Sequence, residues 1–162
     1  MYIDQVLKFT DTLIDYIRHV TVEVDALFSD ILSEQGLTLL QSRVLTEIKN
    51  AEAIAVGNLA DRLHLNRANT SNMCKKLEQA GFIKRFRNKE DERVVLLRLT
   101  DKGAEAMEAI DGIIRSRYAE VMKNTDPRDF DTLKAGMDTV ERLLCKMHEA
   151  NQKFAKGEKT YE

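Results

Sequence analysis

Residues 56–87, VGNLADRLHLNRANTSNMCKKLEQAGFIKRFR, decide the fold. The spacing predicts a short helix over Val56–Leu63, with Leu59, Ala60 and Leu63 packed inward. His64 and Leu65 make the turn, and Asn66 is a good N-cap for a helix that continues to Ala80 and stops at Gly81. Two helices joined by so short a turn form a helix-turn-helix. Phe82-Ile83-Lys84-Arg85-Phe86-Arg87 then alternates apolar and basic side chains, and Val94–Leu99 is β-branched and apolar. With the polar tip Asn88–Glu92 between them, these runs predict a β-hairpin, the wing of a winged helix-turn-helix.

Outward from this stretch the chain reads as helices. Leu13, Ile17, Val20, Val24, Leu27 and Ile31 step by 4, 3, 4, 3 and 4 along a first long helix that ends at Gly36. Thr38 with Gln41 is a capping box for a second helix, whose buried face is Leu40, Val44, Leu45 and Ile48. Asn50–Ile54 reads as a loop. Thr100 caps a fifth helix carrying Met107, Ile110, Ile114, Tyr118 and Val121, with Gly112 a candidate kink. Asp126 and Pro127 open a sixth, where Phe130, Leu133, Met137, Val140, Leu144 and Met147 step by 3, 4, 3, 4 and 3. The polar tail 151–162 is expected to fray. The predicted order is α-α-α-α-β-β-α-α, mainly α with a small β-hairpin wing.

Composition fits a globular chain: 43% hydrophobic, 32% charged, 162 residues. No apolar run reaches the ~18 residues that span a bilayer, and no basic-then-apolar leader opens the sequence, so a cytoplasmic protein is expected. Net charge is −2, yet its distribution is uneven. Residues 1–57 carry 4 basic and 9 acidic side chains, 58–103 carry 11 and 6, and 104–162 carry 10 and 12. The middle third is the footprint expected of a phosphate-facing module.

Within it, the start of the fourth helix offers Arg67, Ala68, Asn69, Thr70, Ser71 and Asn72. Small side chains let a helix approach the major-groove floor; Asn pairs with an adenine edge, Arg with guanine. Lys75 and Lys76 reach toward phosphates, and the hairpin adds Arg85, Arg87, Lys89 and Arg93 at a position suited to the electronegative minor groove. His19, His64 and His148 stand apart with no ligand spacing, no phosphate loop or nucleophile elbow occurs, and no catalytic set, metal site or cofactor is expected. Cys74 and Cys145 sit on apolar-leaning stretches and are expected to be buried or half-buried thiols.

From about Leu37 to Gly103 the chain resembles the multiple antibiotic resistance regulator (MarR) family. The match rests on Leu59-Ala60-Asp61-Arg62-Leu63, Asn66-Arg67, Ser71, Leu77-Glu78, Gly81-Phe82-Ile83, the wing run Asp91-Glu92-Arg93, and Leu99-Thr100-Asp101-Lys102-Gly103. The resemblance implies a homodimeric, sequence-specific DNA-binding transcriptional regulator, a repressor released by a small-molecule effector. It implies a DNA-binding region over 37–103 and a dimerisation region over 1–36 and 104–162. Its partners would be an inverted-repeat DNA operator, a second copy of the chain and a small aromatic effector. Carried over from the family, Arg93 enters the minor groove and Asp91 orients it, while Ala68, Asn69, Ser71 and Asn72 take the recognition-helix positions. Family members often have Ser or Thr at positions 68 and 69, Arg at 72, an acid at 75 and Gly at 64; Ala68, Asn69, Asn72, Lys75 and His64 depart from that pattern. The effector cleft would be lined from the first, second and fifth helices, with Tyr16, His19 and Arg43 as candidate polar contacts. The alternative reading is a winged-helix protein–protein module without DNA binding, against which stands the basic wing.

Overall fold

A computed structural model describes residues 2–88, 91 and 93–155, and the side chains from Asp4 onward within these. The elements are α1 (Tyr2–Glu34), α2 (Leu39–Ala51), β1 (Ile54–Ala55), α3 (Val56–Arg62), α4 (Arg67–Gln79), β2 (Ile83–Arg87), β3 (Val95–Leu99), α5 (Asp101–Lys123) and α6 (Pro127–Ala155). One compact unit runs to Arg117 and a second begins at Tyr118.

The helix boundaries follow local chemistry. Gly36, at φ 68°, takes the left-handed conformation just beyond α1. Thr38 caps α2 reciprocally: its Oγ1 accepts the Gln41 N–H and the Gln41 Oε1 accepts the Thr38 N–H at 2.8 Å. Asn66 Oδ1 accepts the Ala68 N–H at 2.8 Å and caps α4. Asp126 Oδ1 accepts the Arg128 N–H at 2.9 Å at the start of α6. α5 runs unbroken through Gly112, and α6 continues to Ala155, beyond the point where fraying was expected.

The sheet departs from the expected hairpin. It has three antiparallel strands in the order β1-β3-β2. Ile54, expected at the end of a loop, and Ala55 after it pair with Leu97 and Leu96 of β3. Two residues carry no periodicity, so this strand is defined only by its partner. β2 pairs with β3 from Ile83↔Leu99 to Arg87↔Val95.

The core of the first unit gathers Ile31, Leu32 and Leu37, Val44, Leu45 and Ile48, Leu59 and Ala60, Cys74 and Leu77, Ile83, Leu97, Met107 and Ile110. Burying one of the Ile, Leu, Val or Met side chains among them contributes about 1.5–3 kcal/mol. Leu40 departs from its expected place and is 43% exposed, because the inward stripe of α2 starts only at Val44. The apolar stripe of α1 is buried only at its end: Ile31 is fully covered, whereas Ile17, Val20 and Leu27 are exposed. In α6 Phe130, Leu133, Met137, Leu144 and Met147 are exposed, and no residue of that helix is buried. Cys145, expected to be at least half-buried, is exposed with them.

The base of the wing is bolted to its neighbours. Thr100 N–H donates to Phe82 O at 3.0 Å and Thr100 Oγ1 donates to Gly81 O at 2.6 Å. The same Oγ1 accepts the Gly103 N–H at 3.1 Å, capping α5. Lys102 Nζ donates to Ala80 O at 2.7 Å and lies 4.7 Å from the Phe82 ring centre. A Cβ on Gly103 would collide with the Phe82 carbonyl, so only glycine fits.

Candidate nucleic-acid interface

α3 and α4 meet at a turn where His64 adopts φ 52°, the left-handed region that favours glycine. His64 is exposed, and its backbone bend lets Asn66 open α4 at once. Arg67, Ala68, Asn69, Asn72, Lys75 and Lys76 are all exposed on that helix, and Ser71 is half-buried. Arg67 pairs with Asp61 of α3 at 3.2 Å, so in this state it is held over the turn between the helices.

Thr70, expected among these readers, is instead buried; its Oγ1 donates to Asn66 O at 3.0 Å. Residues 70, 74 and 77 step by 4 and 3 and form the core-facing stripe of α4. A polar residue in a polar run looked like surface, but the helical period places it inside.

The wing tip is shaped by Asp91. Its Oδ1 accepts the Arg93 N–H at 3.0 Å, and its backbone O accepts the Val94 N–H at 2.9 Å. Asn88 N–H donates to Val94 O at 2.9 Å and closes the strands. Arg87, Asp91 and Arg93 are exposed. Lys89 lies outside the described residues. Arg85, grouped with the hairpin cations from sequence, turns inward: its Nη2 donates to Ser71 O at 3.2 Å and its Nε lies 3.1 Å from Glu78 Oε2.

Cys74 is buried on the core-facing stripe of α4. Burial pushes its thiol up, Arg85 opposing that shift and Glu78 adding to it. A covered thiol held in its neutral form is a poor nucleophile, and Cys74 packs in the core with Thr70 and Leu77.

A cavity of about 170 Å³ lies between α1, α2 and α5. Phe28, Leu32, Leu39, Met107, Ile110 and Ile114 form its apolar wall, with Ser42, Thr46 and Asp111 as polar groups. Tyr16, His19 and Arg43 do not line the cavity. Tyr16 is 54% exposed, His19 is exposed, and Arg43 faces Glu47 at 3.5 Å. Asp111 in the cavity wall pairs with Lys49 at 2.8 Å and joins α2 to α5, and a second ion pair, Arg117–Asp30 at 2.7 Å, joins α1 to α5. Among the described residues no group of three or more His, Cys, Asp or Glu could hold a metal ion, and no helix is long and apolar enough to cross a membrane.

A family model described as the transcriptional regulator SarA/Rot matches residues 26–110. The chain belongs to the SarA/Rot family of transcriptional regulators. It is 30% identical over 98 residues to the HTH-type transcriptional regulator SarZ of Staphylococcus epidermidis, a match covering 60% of this chain and about two thirds (66%) of SarZ. It is 31% identical over 130 residues to the organic hydroperoxide resistance transcriptional regulator of Bacillus subtilis, covering 80% of this chain and 84% of that one. Its fold matches a mutant MarR from E. coli complexed with operator DNA, with a TM-score of 0.70 and 28% identity over 79% of this chain and 92% of the other. The chain is therefore a winged-helix transcriptional regulator of the MarR/SarA type, a class of DNA-binding regulators rather than enzymes.

Proposed function

We propose that this SarA/Rot-family chain acts as a homodimeric, sequence-specific DNA-binding repressor released by a small aromatic effector. The observation that carries the DNA reading is the pairing of two exposed basic readers on one unit. α4 presents Arg67, Ala68, Asn69, Asn72, Lys75 and Lys76, with Ser71 half-buried among them; the wing presents Arg87 and Arg93, the latter on a turn held by Asp91. In this reading Asn69 and Asn72 contact base edges, Arg93 enters the minor groove, and the lysines meet phosphates.

Dimerisation is supported by the uncovered apolar stripes. α1 leaves Ile17, Val20 and Leu27 exposed, and α6 leaves Phe130, Leu133 and Met137 exposed. Such patches are rare on monomers and are covered by a second copy. Residues 37–103 then form the DNA-binding region, and 1–36 with 104–162 the dimerisation region. A two-fold dimer presents two reading helices about 34 Å apart to an inverted repeat. No helix among the described residues is fit to cross a membrane, consistent with action in the cytoplasm.

The cavity between α1, α2 and α5 supports the effector reading. At about 170 Å³ it suits one aromatic ring rather than a drug-sized molecule. A phenolic hydroxyl donating to Asp111 would compete with Lys49 and loosen the tie between α2 and α5. A ligand preferring that loosened state shifts the population away from the DNA-competent dimer.

The test is selection of bound fragments from genomic DNA, with Arg93→Ala alongside. Enrichment of an inverted repeat, weakened by about 1–3 kcal/mol in Arg93→Ala with the dimer intact, is expected. No enrichment over competitor DNA would sink the reading.

A further inference from the structure

We infer that Arg85 is a positioning residue for DNA binding, locking the wing to the reading helix so that both present as one rigid surface. The inference rests on the DNA reading above and names a residue that reading does not use.

Ile83, Arg85 and Arg87 share one face of β2, and along it Ile83 is buried, Arg85 half-buried and Arg87 exposed. Ile83 is buried, and Arg85 sits opposite the fully buried Leu97. An arginine at such a position is unusual, because a half-desolvated charge is costly unless it is paired. Its side chain is only 23% exposed. Both contacts go to α4: Nη2 to Ser71 O, Nε toward Glu78 Oε2. Nε is shut off from solvent and its approach to Glu78 is a charge contact rather than an aligned hydrogen bond. Ser71 and Glu78 are seven residues apart, two turns or about 10 Å along the axis, with Cys74 between them on the same face. One guanidinium meets both because the Glu78 side chain reaches back along the helix toward the Ser71 carbonyl, so Arg85 joins β2 to two turns of α4.

The place of the tie matters. α4 passes into β2 through Gly81, at φ 81°, a backbone state with wide freedom. The bonds of Thr100 and Lys102 hold only the base of the hairpin, at Ala80, Gly81 and Phe82. Arg85 makes the contact farther out, and it reaches back to Ser71 in the reading half of α4. A lysine offers a point charge and no fork, so it cannot hold both partners.

Both readers must engage one stretch of DNA together. If the wing samples other tilts, apparent affinity falls in proportion to the competent fraction. The experiment compares wild type, Arg85→Gln, Arg85→Lys and Arg85→Met in the full-length chain. Arg85→Met keeps a stem of similar length and guards against a glutamine variant that fails to fold. Binding is measured on the selected inverted repeat and on random duplex across a salt series, counting folded protein only. Residual dipolar couplings of α4 and β2–β3 amides are recorded without DNA.

All three variants are expected to bind the selected site on the order of tenfold more weakly, corresponding to a competent fraction near one tenth. Random duplex binding and the salt slope stay unchanged, because Arg85 faces α4 rather than a phosphate. The couplings of α4 and the wing, described by one alignment in wild type, then require two. Wild-type affinity in Arg85→Met, or a single alignment in every variant, overturns the inference. A salt slope lower by about one per subunit also overturns it, marking Arg85 as a phosphate contact. If wild type itself shows no site preference, the DNA role falls with the functional reading, and the couplings alone report whether the two elements are tied.

Discussion

Replacing Gly103 by alanine tests the joint that fixes the wing against α5. The added Cβ would collide with the Phe82 carbonyl, a backbone atom that cannot rotate away. That carbonyl accepts the Thr100 N–H, so relieving the clash moves a bond that anchors the wing base. Overpacking of this kind costs about 1–3 kcal/mol. A strained or lost hydrogen bond adds about 0.5–1.5 kcal/mol. Alanine's better helix propensity returns up to about 1 kcal/mol. The net expectation is a loss of about 1–3 kcal/mol, read by urea denaturation followed by far-UV circular dichroism. Gly112→Ala is the control: it lies in the same helix with nothing near its missing Cβ, so it should gain about 0.5–1 kcal/mol. Equal stability of Gly103→Ala and wild type, or equal losses in both variants, would refute the steric argument.

Other outcomes follow from single contacts. Thr38→Ala removes half of the capping box and should cost about 1 kcal/mol in thermal or urea unfolding. His64→Gly places glycine at the left-handed φ of the helix turn and should leave the fold at least as stable; a loss above ~1 kcal/mol would show that the histidine side chain contributes there. In Cys145→Ser the remaining thiol, Cys74, should react with a disulfide reagent only as fast as the chain opens, whereas in Cys74→Ser the exposed Cys145 marks the fast class. The Arg117 guanidinium holds the Asp30 carboxyl below its ordinary range, so the stability it lends is present above the unfolded carboxylate's titration, at about pH 4, and disappears as pH falls through the lowered value. The melting temperatures of wild type and Asp30→Asn should therefore converge in acid.

The helices and their caps were legible because they are local. Thr38 with Gln41 and Asn66 before Arg67 announce helix starts whatever surrounds them. The wing was legible from alternation and from the Leu99–Gly103 run, whose threonine and glycine each prove to have a backbone task. What escaped depends on tertiary partners. β1 exists only because Ile54 and Ala55 meet β3. Thr70 looked like a reader until its position beside Cys74 and Leu77 placed it in the core. Arg85 looked like a surface cation, because alternation in β2 tells which residues share a face but not that an arginine occupies the inner one. Tyr16, His19 and Arg43 were chosen as candidate effector contacts for their chemistry alone, whereas the polar groups of the cavity between α1, α2 and α5 are Ser42, Thr46 and Asp111.

The most direct test of the central claim is the salt dependence of binding to a selected inverted repeat, for wild type and Arg93→Ala side by side. The two-reader account predicts a log–log slope of several units for wild type, at roughly 0.9 per phosphate neutralised, with clear preference over random duplex and a shallower slope for Arg93→Ala. A flat wild-type slope with no preference for any sequence would contradict it.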